Sequence, residues 1–200
     1  VLADLETPVS AFMKLRAANK SDAFLLESVE GGEKVARYSF VGTTSRARIV
    51  TKANTAWLME NGQTQQIALE HGRDPLHLVQ EMMARFQFVP RAGLPRFCGG
   101  AVGFLGYDLV RFFEKLPNAP HDDRDLPDCY LLLTDTVLIF DAVRHSIRVL
   151  NNAYIEENSD LRQVYDEACA KIEATLQTLK QTPARADLLP VSDEVDASAD

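Results

Sequence analysis

The run CYLLLTDTVLIF, Cys129 to Phe140, constrains the fold most. It is the most hydrophobic stretch of the chain, and it reads as a central strand, bent or bulged near Thr134-Asp135. Ser146 to Asn151 then returns antiparallel to it. A strand this apolar needs cover, so the other elements must be disposed around it.

Several of those elements announce themselves locally. Thr7 is an N-cap and Pro8 a first helical residue for a helix carrying Val9, Phe12, Met13 and Leu15 and ending near Asn19. Strands are predicted at about 23 to 28, 36 to 41 and 46 to 51. Thr55 to Glu60 and Gln63 to Leu69 flank Asn61-Gly62, a pair that favours a type I′ hairpin turn because both central residues need positive φ. Asp74 caps a helix that opens with Pro75 and sets Leu78, Val79, Met82, Met83 and Phe86 on one stripe. Two of these are Met, read as core filler.

Pro90, Gly93 and Pro95 break the chain before a glycine-rich segment. A short helix over Tyr107 to Lys115 follows, ended by Leu116-Pro117. Asn118 to Asp128 is a polar, acidic loop. From Ser159 the spacing of Leu161, Val164, Tyr165, Ala168, Ile172, Leu176 and Leu179 predicts a long helix with one buried stripe. Thr182 to Asp200, rich in small residues and acids, reads as a linker or tail. No internal repeat is visible. Strands and helices in this order, with hairpin signals, point to an α+β fold with largely antiparallel sheets packed with helices.

The net charge of −8 argues against nucleic acid or an anionic membrane as partner. No run of about 18 apolar residues is present. The opening VLADLETPV has neither the basic nor the apolar region of a signal peptide, although the chain does not begin with Met. Cys98, Cys129 and Cys169 are odd in number and far apart, which predicts buried free thiols in a reducing cytoplasm. Without a C-x-x-C pair, structural zinc is not expected.

Motifs for catalysis are missing. Gly31-Gly32-Glu33-Lys34 lacks the Walker spacing, and Gly99, Gly100, Gly103 and Gly106 do not form a dinucleotide fingerprint. Those glycines are expected to let backbones pass closely or to bulge a strand. His121, Asp122, Asp123 and Asp125 are ligand types with no second cluster to complete a metal shell, so a solvated face is the simpler reading. His71, His77 and His145 are isolated. No nucleophile, base and orienting group assemble, so no catalytic residue and no metal or other cofactor is assigned to this chain.

Phe24 to Gly42, FLLESVEGGEKVARYSFVG, reads as two extended segments around a turn at Gly31-Gly32. Glu27 and Ser28 stand directly after the apolar Phe24-Leu25-Leu26, where a strand leaves the core. A carboxylate and a hydroxyl so placed can hold a small zwitterion against an apolar pocket. The plainer reading is that Ser28 caps a strand end.

LLES (Leu25 to Ser28) with RYSFVG (Arg37 to Gly42) closely resembles the amino-terminal half of anthranilate synthase component I. FCGGAVGFLGYDLVRFFEKLP, Phe97 to Pro117, is similar to that family's glycine-rich strand and YDxVRxxExLP signature. Resemblance runs from about Thr7 to about Lys180. It implies a sandwich-like regulatory domain over residues 1–181, with 182–200 linking it to a carboxy-terminal half that binds chorismate and magnesium. It also implies that the LLES stretch lines a feedback site for L-tryptophan, which that other half completes. There Ser28 would hydrogen-bond the ligand's polar end, and the backbone of Leu26 to Ser28 would add contacts. Glu27 would face the ligand ammonium or the outer surface. Pro8, Arg37 and Tyr38 are further candidates, Arg37 as a bidentate partner of a carboxylate or as an exposed strand charge.

The parent activity implied is a cytoplasmic lyase, converting chorismate and glutamine-derived ammonia to anthranilate and pyruvate with a glutamine amidotransferase subunit, component II. Aminodeoxychorismate synthase component I shares much of this half and is the nearer alternative. A free-standing amino-acid-binding module is the more distant one.

Overall fold

A computed structural model describes residues 3, 6–18, 22–27, 37–70, 72–118 and 121–181. Its centre is a long antiparallel pair, β2 (Tyr38–Lys52) and β6 (Cys129–Asp141). Along one flank of β2 lie β1 (Phe24–Leu26) and β3 (Thr55–Glu60), the latter continuing into β4 (Gln63–Ala68). Along the far flank of β6 lie β5 (Gly100–Leu105) and β7 (Ser146–Asn151). All of these pairings are antiparallel, as the sequence predicts, but the strands form a single hydrogen-bonded sheet.

The predicted strands at 36 to 41 and 46 to 51 are one strand. The register between β2 and β6 slips at Gly42/Thr44, Thr44/Ser45 and Ser45/Ala47. The slips fall at Thr43 and Arg46 on the β2 side and at Asp135 on the β6 side. Bulges bend a strand and increase its twist without ending it. The apparent break in the pattern is therefore a bend in a continuous element, and Thr134-Asp135 marks it from the β6 side.

Each half of the bent sheet has its own core. On one half, α1 (Pro8–Ala18) and α3 (Leu161–Lys180) bring Ala11, Leu15 and Leu179 onto Val41, Leu138, Phe140 and Ile147. On the other, α2 (Pro75–Ala84) sets Leu78 and Met82 against Ala47, Ile49, Ala56 and Leu133. Thr7 Oγ1 accepts from Ser10 N at 3.1 Å at the start of α1. Asn61 and Gly62 have φ of 52° and 74°, as the type I′ reading requires. Residues Tyr107–Phe112 form a 3-10 helix, shorter than the predicted helix.

Asp74 caps α2, its Oδ1 accepting from Leu76 N at 2.8 Å and His77 N at 3.0 Å. His77 Nδ1 accepts in turn from Asp74 N at 3.2 Å. Replacing Asp74 by Ala frees two helix N–H groups in a half-buried setting. The expected loss is about 1 kcal/mol of unfolding free energy by urea titration, and His77→Ala, which keeps the carboxylate cap, should lose less.

Three expectations need correction. The stripe of α3 is only partly covered: Leu179 is buried, whereas Leu161 and Tyr165 are 63% and 62% exposed. The reason is length, because a helix of 20 residues extends about 30 Å and the six residues of β7 extend about 20 Å. Cys98 and Cys129 are buried free thiols, but Cys169 on α3 is exposed. Burial pushes the Cys129 thiol up to about 11, which makes it a poor nucleophile. On α2, Met82 fills core but Met83 is exposed.

Candidate functional site

The expected ligand-binding residues fall at one end of the β1–β2 pair. Register places Leu26 opposite Phe40 and Leu25 opposite Val41. Leu25 packs into the α1/α3 core, so by strand alternation Leu26 belongs to the other face, where it is exposed. Glu27, one residue past the strand, is exposed as well. Ser28 and the turn at Gly31-Gly32 lie outside the described residues.

On the returning side, Tyr38 and Phe40 have ring centroids 6.3 Å apart, and Phe97 meets Phe40 edge-on at 5.0 Å. The Arg37 guanidinium lies 4.9 Å from the Tyr38 ring centroid. Pro8 opens α1, the helix that packs on this half of the sheet, and is half-buried. The structure thus gathers Leu26, Glu27, Arg37 and Tyr38 around the end of one strand pair, adds Phe40 and Phe97, and leaves Pro8 on the neighbouring helix.

Arg37 does make a bidentate pair, with a carboxylate of this chain. Its Nε donates to Asp141 Oδ1 at 3.1 Å and its Nη2 to Oδ2 at 2.8 Å. Asp141, 2% exposed, is also fixed by Arg144 N at 3.2 Å. Hydrogen bonding from Arg37 holds the Asp141 carboxyl below its ordinary value, and the same bond raises Arg37. One edge of the guanidinium is therefore committed to the scaffold, locking the start of β2 to the end of β6. Sequence reading missed Asp141, although its place at the polar end of the most apolar run was visible.

A carboxylate with a lowered folded pKa adds stability that is present above its unfolded value and disappears as pH falls through the folded one. Arg37→Met should therefore lower the melting temperature at neutral pH, flatten its decline on acidification, and meet the wild-type curve at low pH. Parallel melting curves between about pH 7 and about pH 2 would contradict this role.

The acidic loop is tied to the sheet. Lys52 Nζ donates to Asp122 and, at 2.6 Å, to the Leu126 carbonyl, and lies 3.6 Å from Asp125 Oδ1. Ala53 N donates to Asp128 Oδ2 at 2.6 Å. Among the described residues no group of three or more His, Cys, Asp or Glu side chains is gathered to hold a metal ion. None of the described helices is long and apolar enough to cross a membrane.

The profile of the chorismate binding enzyme family matches residues 21–199. The chain belongs to the chorismate binding enzyme family. It is 37% identical over 182 residues to anthranilate synthase component 1 of Acetivibrio thermocellus, covering 91% of this chain and 35% of that protein. It is 40% identical over 187 residues to the Mycobacterium tuberculosis protein of the same name, covering 90% and 35%. The chain thus spans about a third of the length of these curated relatives. Anthranilate synthase component I from Streptococcus pneumoniae shares the fold, with a TM-score of 0.58 at 24% identity over 91% of this chain and 37% of that one.

Proposed function

We propose that residues 1–181 are the amino-terminal regulatory domain of an anthranilate synthase component I, and that 182–200 lead toward a chorismate- and magnesium-binding half. The observation that carries this reading is the 37% identity across nine-tenths of the chain to a protein of that name. The parent reaction is the conversion of chorismate and ammonia to anthranilate and pyruvate, with the ammonia delivered by a glutamine amidotransferase subunit in the cytoplasm. This domain contributes control, not chemistry.

L-Tryptophan would sit at the end of β1. Leu26 and the aromatic group Tyr38, Phe40 and Phe97 offer apolar surface for the indole, while Ser28 hydrogen-bonds the ligand's polar end and Glu27 meets its ammonium. Arg37 acts through Asp141, fixing where β2 begins and so the shape of the pocket wall. Bound ligand shifts the enzyme toward an inactive arrangement only by the difference between its affinities for the two arrangements.

A hydrogen bond to a charged group contributes about 1.5–3 kcal/mol, so deleting it weakens binding by about tenfold or more. Ser28→Ala in the full-length enzyme should therefore raise the tryptophan concentration for half-inhibition by at least about tenfold with uninhibited turnover unchanged. Equal tryptophan sensitivity in variant and wild type would contradict the assignment of Ser28. Mass spectrometry of the product would separate anthranilate from aminodeoxychorismate.

A further inference from the structure

The bulge that bends the sheet has a second consequence. A cavity of about 380 Å³ opens between it and α3, lined by Thr44, Ser45 and Asp135 from the bulge, Lys171 and Thr175 from the helix, and Leu15 beneath. None of the residues around the β1 end lines it. Its volume lies near the lower end of the range for ligand pockets.

The chemistry of the walls is specific. Asp135 lies at the register slip, and its Oδ1 is buried with no hydrogen-bond partner among the described residues. An orphaned buried carboxylate oxygen in a native fold calls for an explanation such as an absent cation or donor. The Tyr154 hydroxyl and the charges of Lys171 and Arg46 act on this side chain. Lys171 forms no ion pair within 4.0 Å among the described residues. Thr175 Oγ1 donates to the Lys171 carbonyl at 2.8 Å, leaving its oxygen free to accept from a ligand.

The cavity thus offers an anion, Asp135, on the bulge side and a cation, Lys171, on the helix side, with the Thr175 hydroxyl as a further acceptor, over a small apolar floor. We propose that this cavity is a second small-molecule site, taking a compact α-amino acid whose ammonium meets Asp135 and Thr175 and whose carboxylate meets Lys171. A zwitterion fits because its two charges meet Asp135 and Lys171, which are of opposite sign. Burial raises the Asp135 carboxyl, and a bound ammonium would favour its ionised form.

The test is amide-resolved NMR titration of the 200-residue chain with L-serine, and with N-acetyl-L-serine and L-serine methyl ester, which lack the ammonium and the carboxylate charge respectively. Saturable shifts at Thr44, Ser45, Thr136 and residues 171–175 are expected with L-serine, and at least tenfold weaker binding with either derivative. Asp135→Asn and Lys171→Met should each weaken L-serine tenfold or more. Ala174→Phe, on the cavity wall, should abolish binding with the fold's amide spectrum retained, which guards against loss through misfolding at the bulge. Absence of saturable shifts, equal binding of the derivatives, or unchanged binding in the Lys171 and Ala174 variants would overturn the proposal.

Discussion

Gly103→Ala is expected to destabilise the chain by about 3 kcal/mol, because among the described glycines its added methyl group would meet the tightest surroundings. Gly103 lies in β5 opposite Leu131, and a Cβ there would overlap the Tyr130 carbonyl oxygen in β6. The obstacle is the backbone of the partner strand, which cannot rotate aside as a side chain can. Relief requires β5 to lift from β6, with loss of the Phe104–Tyr130 stack, whose rings lie 6.1 Å apart at 10°. Urea unfolding reads the total, and hydrogen exchange should show the β5 amides opening before those of β2. A change below about 0.5 kcal/mol would mean that the strands do not approach this closely.

Leu138→Ala should cost about 3 kcal/mol, within the range for leucines truncated in a closed core. Leu138 is 1% exposed, and it belongs to the cluster in which Leu15 of α1 and Leu179 of α3 meet the sheet. The residual void is walled by two helices and a hydrogen-bonded strand, none of which can collapse easily. The same truncation at Leu161, which is 63% exposed, should change stability by less than about 0.5 kcal/mol. Comparable losses at the two positions would show that α3 is packed along its whole length, contrary to the structure.

Those two leucines also show what the sequence could and could not disclose. Asn61-Gly62 and Asp74-Pro75 specify their turn and helix start through their own backbone preferences and side-chain bonds, so both were legible in isolation. The period of α3 names a stripe, but period alone does not say how far a sheet extends beneath it, and so Leu161 and Tyr165 read as buried. The continuity of β2 depends on slips in its register with β6, and the pairing of Arg37 with Asp141 spans 104 positions. Long-range facts of this kind have no local signature.

For the candidate site, resemblance supplied Pro8, Leu26, Glu27, Ser28, Arg37 and Tyr38; the fold sets Leu26, Glu27, Arg37 and Tyr38 near the end of one short antiparallel pairing and leaves Pro8 on the neighbouring helix. Phe40 and Phe97 were hidden because an aromatic residue in a strand looks like core. Asp135 and Lys171 were hidden because one sits within the most apolar run and the other on the polar side of a helix.

The most direct measurement is calorimetric titration of the full-length protein, wild type and Ser28→Ala, with L-tryptophan, D-tryptophan and L-phenylalanine. Calorimetry avoids the fluorescence background of Trp57. The account predicts saturable binding of L-tryptophan alone, weakened at least about tenfold in the variant. Absence of stereoselective binding, or identical affinity in both proteins, would contradict the placing of a tryptophan feedback site at the end of β1.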